Sequence, residues 1–346
     1  MIYLLSQDWS NTSNNHAGMK YLCNQLQEKY PNDYKSIVIP DFVGANPPRN
    51  RIFRKWVYLK AKLNHAILLS CIYRKLVKTI KQGDVVVLME YMDLLYRTKK
   101  FAYKIKSNIP GVSLYAMVHL VPGKLNRLFS SNDELQDWVR PIDKILTLGS
   151  SLTDYFVSRG IDRNIIHTTF HYVDEYYFKT SSITISSTPV VIAMGNQMRN
   201  VQMLKEVVDY NPEVNFVICQ GLQDMSDVFS NNKNVKLIPF VREEELREYM
   251  DKADISLNIM EDTIGSNVIV TSLAMGLAMI CSDVGSIRDY CSNKDTLFCN
   301  TAKDFTNAIR LLSEDKELLY SMKNNALLKY NSLKIEAFHD NFQNMM

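Results

Sequence analysis

Nowhere do the 346 residues hold the roughly 18 uninterrupted apolar positions that a membrane-spanning helix needs. The N-terminus, MIYLLSQDWS, turns polar by residue 6, before the apolar core of a signal peptide can form, so a cytoplasmic location is expected. The cysteines Cys23, Cys71, Cys219, Cys281, Cys291 and Cys299 are scattered, with no C-x-x-C pair and no histidine at metal-ligand spacing. That pattern argues against a disulfide framework or a zinc site and predicts reduced, mostly buried thiols. A net charge of +3 is too small to imply nucleic-acid binding by itself. No solenoid-length repeat or low-complexity tract is present to suggest a fibrous or disordered chain.

What is present is a globular composition, 46% hydrophobic and 22% charged, on a chain long enough for two domains. Short β-branched runs at residues 2–5, 36–40, 84–89, 112–118 and 144–148 read as buried parallel strands. Segments of helical pattern separate them, such as 18–30 and 94–107. A second series at 189–195, 214–221, 234–240, 253–259 and 276–283 follows the polar stretch TSSITISSTP, which reads as a linker, and includes helices at 242–252 and 267–275. Alternating strands and helices predict an α/β chain of two doubly wound domains, with ligands at the C-terminal ends of the strands.

The most informative segment runs from Thr263 to Asp289, as loop, helix, small-residue turn, strand and glycine-bearing loop. A helix starting near Gly265, Ser266 and Asn267 would present free N–H groups and the positive end of its dipole, a site for a diphosphate, though an ordinary capped helix has the same residues. Through Asn267, Ala274, Met275-Gly276-Leu277 and Ser282-Asp283-Val284-Gly285-Ser286-Ile287 the segment resembles the retaining family-4 glycosyltransferases of the GT-B fold. The two glutamates of that signature fall on Thr263 and Thr271, where a hydroxyl makes weaker, neutral hydrogen bonds. Thr271 then stands where the family binds the nucleotide ribose.

The resemblance implies two Rossmann-like domains facing a central cleft: residues 1–179 on the acceptor side, 180–330 for the nucleotide sugar, and 331–346 as a terminal helix returning to the first domain. Gly195-Asn-Gln-Met-Arg199 resembles the loop whose basic residue holds the donor diphosphate, and Arg199 is the candidate. Without the family, a solvated surface arginine explains it equally well. His119, ending an apolar strand, matches a family histidine that contacts the donor sugar, here as a hydrogen-bond donor; the bland alternative is a satisfied edge residue. The polar loop carrying Asp8, His16 and Gly18 resembles the acceptor loop, and local side-chain caps are its alternative. No D-x-D triplet occurs, so neither a metal nor another cofactor is expected, the nucleoside-diphosphate sugar being the substrate.

From Pro47 to Gln82 there are ten Lys or Arg and no Asp or Glu. Arg51, Arg54, Lys55, Trp56 and Lys60 belong to a segment with basic and apolar residues interleaved. It predicts peripheral attachment to an anionic membrane surface, unless it is a solvated helix pair packed on the core. No motif for DNA or RNA accompanies it, and nucleic acid is not an expected partner. The expected activity is transfer of a sugar to a hydroxyl of a lipid-linked glycan, with retention, in bacterial polysaccharide or O-antigen assembly. A catalytically inactive scaffold in a glycan-assembly complex and a nucleotide-sugar epimerase are the alternatives.

Overall fold

Uninterrupted apolar, β-branched runs bury both faces of a strand, and the chain follows that rule. In the computed structural model, which describes residues 1–346 except 11, 13, 14, 45, 46, 93–97 and 181, the strands are β1 (Ile2–Asp8), β2 (Tyr34–Pro40), β3 (Val85–Leu88), β4 (Ser113–Val118), β5 (Lys144–Thr147), β6 (Ile166–Thr168), β7 (Val190–Ala193), β8 (Asn215–Gly221), β9 (Val235–Pro239), β10 (Ile255–Asn258), β11 (Ala278–Ser282) and β12 (Thr296–Cys299). Among the described residues they form two six-stranded sheets, ordered β2-β1-β3-β4-β5-β6 and β12-β11-β10-β7-β8-β9. Every pairing is parallel; β1, for instance, pairs with β2 from Ile2↔Tyr34 to Asp8↔Pro40 and with β3 from Ile2↔Val85 to Leu5↔Leu88. Parallel strands need crossover helices, which cover the sheets and make the α/β layering obligatory.

Two strands were not anticipated. β6 (IHT) is three residues long and partly polar, and β12 (TLFC) carries no long apolar run, so only pairing to β5 and β11 reveals them. The helix expected over 94–107 runs Thr98–Asn108, and residues 94–97 lie outside the described residues. The six cysteines are all unbridged, five of them buried and Cys71 exposed.

The chain divides into two compact units, Met1–Thr169 with Phe342–Met346, and Phe170–Asn341. The division falls after β6, ahead of the polar linker and the 179/180 position expected from it. Helix Ile335–Gln343 straddles it in sequence. Lys334 bridges Val173 and Phe338 packs edge-on against Phe170, while Gln343 donates to the Tyr34 hydroxyl at 3.2 Å and Phe342 packs near the Tyr34 ring. The core of the second unit is built by Val191, Phe216, Ile255 and Ile280 from its strands and by Leu204, Phe305 and Leu312 from its helices.

The basic stretch folds as one continuous helix, Arg51–Thr79, rather than a helix pair. No proline or glycine interrupts it, and the Asn50 side chain accepts the Ile52 and Phe53 N–H groups at its start. At about 100° per residue, Ala61, His65, Leu69, Ile72 and Leu76 fall on one buried face. Ile52, Trp56, Leu59, Leu63 and Ile67 fall on the opposite face and are exposed, Trp56 by 66%. No helix among the described residues is long and apolar enough to cross a membrane.

His65 is buried against Phe42, their rings 6.5 Å apart and edge-on. Burial lowers its pKa from 6.5 to about 4, because the charged ring cannot be solvated there. Between these values the unfolded chain binds the proton and the folded chain does not. The stabilisation is therefore complete above pH 6.5 and is lost as pH falls towards 4. The melting temperature, followed by circular dichroism, is expected to drop across that window, with a shallower slope for His65→Gln.

Candidate functional site

The second sheet winds outward from β7 through β8 to β9, then returns to β10 on the other side of β7. That reversal opens a crevice beyond the carboxyl ends of β7 and β10, where doubly wound sheets bind ligands. Two backbone hydrogen bonds join the loops leaving these strands: Asn200 N–H to Ile259 O at 3.0 Å and Glu261 N–H to Met198 O at 2.8 Å. Met198 takes a left-handed conformation, φ 57°, that a branchless side chain tolerates at some cost.

Arg199 follows directly, and its guanidinium lies over the strand ends. Nη1 donates to the Cys219 carbonyl at 3.1 Å and Nη2 to the Ala193 carbonyl at 3.3 Å, with Met225 Sδ 3.9 Å from Nη1. Among the described residues no carboxylate contacts it. Burial lowers its pKa from 12.5 to about 10, which still leaves a full charge at neutral pH. A guanidinium has five N–H bonds, so two carbonyl partners do not exhaust it. The surface-arginine alternative does not describe this side chain: it is a half-buried cation without a counter-charge among the described residues.

The second positive element is helix Asn267–Ala274, capped by Ser266, whose Oγ accepts the Ile269 N–H at 3.3 Å. The N–H groups of Asn267 and Val268 have no partner within the helix, as at any helix start. The buried Oδ1 of Asn267 also lacks a partner. A Cβ on Gly195 would stand 2.9 Å from Val268 Cγ2, so the β7 loop abuts this first turn. Gly265 has φ 88°, and a Cβ there would lie 2.2 Å from the Tyr290 ring. Tyr290 is itself held by accepting the His171 N–H at 2.9 Å through its hydroxyl. The β7 loop that carries Gly195 and Arg199 thus adjoins the helix start of Gly265, Ser266 and Asn267 through the contact of Gly195 with Val268. The signal that sequence reading passed over is Tyr290, the floor on which Gly265 rests.

The two threonines in glutamate positions are occupied locally. Thr263 Oγ1 accepts the Gly265 N–H at 3.1 Å, and Thr271 Oγ1 donates to the Asn267 carbonyl at 2.7 Å, back along its own helix.

The remaining candidates belong to the first unit. Asp8 pairs with Lys20 at 3.0 Å, His16 tilts against Tyr21 at 4.5 Å, and Gly18 N–H bonds to the Asn15 carbonyl at 3.2 Å, so the acceptor-like loop is internally capped. Its residues 11, 13 and 14 lie outside the described residues. His119 follows β4, with Nε2 2.7 Å from the Met89 carbonyl, and burial lowers its pKa to about 4. The ring is neutral at pH 7, and because a carbonyl only accepts, Nε2 carries the hydrogen. That hydrogen is donated to the protein's own backbone.

Residues 185–329 match the model of the family described as glycosyl transferases group 1. No curated protein sequence matches the chain. Among solved structures, sucrose-phosphate synthase from Thermosynechococcus elongatus superposes with a TM-score of 0.74 at 12% identity, covering 99% of this chain and 97% of that one. HepE from Anabaena, in complex with UDP, gives 0.72 at 13% identity over 99% of both chains. The lipopolysaccharide outer core galactosyltransferase WaaB gives 0.65 at 12% identity over 100% and 99%. The chain has the GT-B fold. In GT-B terms, the converged loops belong to the C-terminal unit, within the segment that matches the group 1 glycosyltransferase model.

Gly265→Ala adds a clash with Tyr290 to the strain of a positive φ and is expected to cost roughly 2 kcal/mol or more. Thermal unfolding against Gly123→Ala, whose added Cβ meets open space, measures it.

Proposed function

We propose that the protein is a glycosyltransferase that takes a sugar from a nucleoside-diphosphate donor, with the diphosphate held at Arg199 and the start of helix Asn267–Ala274. The observation that carries this reading is the half-buried Arg199 guanidinium, with no carboxylate beside it among the described residues, on a loop whose Gly195 abuts the first turn of that helix. As the glycosidic bond breaks, negative charge grows on the leaving diphosphate. A fixed cation in a desolvated site stabilises that charge without reorganising. Solved structures of HepE with UDP and with UDP-glucose lend support to a uridine nucleotide as the donor. The likeness of residues 263–289 to family 4 supports retention. Arg199 and the helix start do the neutralising without a metal, and the likeness to family 4 gives His119 a contact with the donor sugar.

The acceptor in this reading is a lipid-linked glycan at an anionic bilayer, as in bacterial polysaccharide or O-antigen assembly, and the protein is peripheral to the inner face of the cell membrane. The exposed stripe of helix Arg51–Thr79 supports it: Phe53 is 65% and Leu63 61% exposed, with Arg51, Arg54, Lys55 and Lys60 on the same helix. Each basic side chain near anionic lipid contributes about 1 kcal/mol, and the apolar stripe adds insertion.

A second reading, a donor-binding scaffold without transferase activity, draws on Thr263 and Thr271, whose hydroxyls are engaged in their own backbone. Turnover decides between the two: release of UDP from UDP-sugars supports the transferase, and donor binding without any turnover supports the scaffold.

UDP is expected to raise the melting temperature of the wild type, and Arg199→Ala to abolish the shift, with Arg199→Lys retaining part of it. An equal shift in Arg199→Ala would refute the phosphate assignment. Transfer should be insensitive to EDTA. Replacing Arg51, Arg54, Lys55 and Lys60 by Gln should lower partitioning onto phosphatidylglycerol vesicles by about 100-fold or more in sedimentation, with little effect on neutral phosphatidylcholine vesicles.

A further inference from the structure

The basic half of helix Arg51–Thr79 is not uniform around its axis. Arg51, Arg54, Lys55, Tyr58, Leu59 and Lys62 recur at i, i+3, i+4, i+7, i+8 and i+11, so they share one flank, and together they line a concavity of about 380 Å³. That volume falls within the range of ligand sites, about 300–1,000 Å³, and is more than a single small ion fills. Lys60 is also exposed, but it lies about 160° round the helix from Lys62 and takes no part in the lining.

Four cations thus face one opening, and among the described residues none of them has a carboxylate partner. The sequence from Pro47 to Gln82 has no Asp or Glu to supply one. Arg51 stands three residues from Arg54 and four from Lys55, spacings at which like charges destabilise a helix. The positive pole of the helix dipole lies at the same end. An anion entering the concavity relieves all of these repulsions together. The concavity also borders the exposed apolar stripe: Leu59 belongs to both, and Ile52, Trp56 and Leu63 continue the stripe away from it. A free anion would use the charges and leave that border idle, whereas a phosphate carrying hydrocarbon chains uses both.

We propose that this flank is a binding site for the headgroup of a bilayer lipid whose phosphate is a monoester, the lipid chains passing Leu59 along the stripe. A phosphomonoester carries roughly −1.5 to −2 charges at pH 7 and three strong acceptor oxygens, and a phosphodiester has less of both. Arg51 and Arg54 present planar forks that match phosphate oxygens, and Lys55 and Lys62 add compact charges, a donor set that the monoester occupies more fully. The site gives headgroup selectivity to a contact that surface potential alone leaves unselective. It rests on the membrane reading of this helix and is independent of the donor and acceptor assignments.

The full chain is sedimented with phosphatidylcholine vesicles containing either phosphatidic acid or phosphatidylglycerol, adjusted to equal zeta potential. Binding to phosphatidic acid is expected to be about tenfold tighter, the worth of one further charge-assisted hydrogen bond. Lys62→Gln should remove most of that preference, and Arg54→Lys, which keeps the charge but loses the fork, should lower it. Lys60→Gln, which removes the same charge outside the concavity, should weaken both interactions alike and keep the ratio. Equal affinity for the two vesicles, or one ratio shared by the wild type, Lys62→Gln and Arg54→Lys, overturns the proposal. If phosphatidylglycerol binding persists in that case, the membrane reading stands and only the headgroup site falls; binding to neither vesicle refutes both. Glycerol phosphate, which has the monoester without the chains, should fail to displace the protein from phosphatidic acid vesicles. Displacement would assign the concavity to a free phosphate and overturn the lipid.

Discussion

The site of the second unit depends on keeping a guanidinium partly out of water without a carboxylate to balance it. Desolvating a cation is unfavourable, and among the described residues the Ala193 and Cys219 carbonyls and the Met225 sulfur offset it. Such an arrangement persists only where the backbone leaves the side chain no better place. Here the left-handed Met198, the hydrogen bonds to Ile259 and Glu261 and the contact of Gly195 with Val268 hold the loop against the neighbouring strand and helix. The unfavourable desolvation is thereby met in folding, which fixes the guanidinium in place.

The first unit solves a different problem with one long helix. Its buried face must fill the space over the strands, and its far side, which meets no other element among the described residues, keeps Ile52, Trp56, Leu59, Leu63 and Ile67 in solvent. An exposed row of large apolar side chains is unfavourable in water and is retained where another phase covers it. Because the helix is continuous, the same turn that shows Leu63 outward carries His65 inward towards Phe42.

Much of the fold was legible in the sequence because parallel strands buried on both faces announce themselves as unbroken apolar runs. DVVVLM became β3 and GLAMICSD became β11 with boundaries shifted by only a few residues. β6 and β12 escaped for the converse reason: their residues acquire strand character from the neighbour they pair with. The close backbone approaches at Gly195 and Gly265 and the Ser266 cap were legible too, since these are residue types that such positions demand. The division of the units was not, because a polar Ser/Thr stretch marks a flexible segment rather than the last residue of a packed sheet.

By itself the sequence determined the α/β class, the tandem of doubly wound halves, the capped helix start and the basic character of residues 47–82, all of which follow from local spacing and residue type. Only the tertiary structure decided what each candidate side chain does. Arg199 became a half-buried cation rather than a solvated one because Cys219, from the adjacent strand, supplies a carbonyl twenty residues away in sequence. His119 donates its Nε2–H to Met89, thirty residues back, and Thr263 and Thr271 turned inward to nearby backbone. A side chain's hydrogen-bond role is set by whichever group the fold brings within about 3 Å, and that distance is not a property of local sequence.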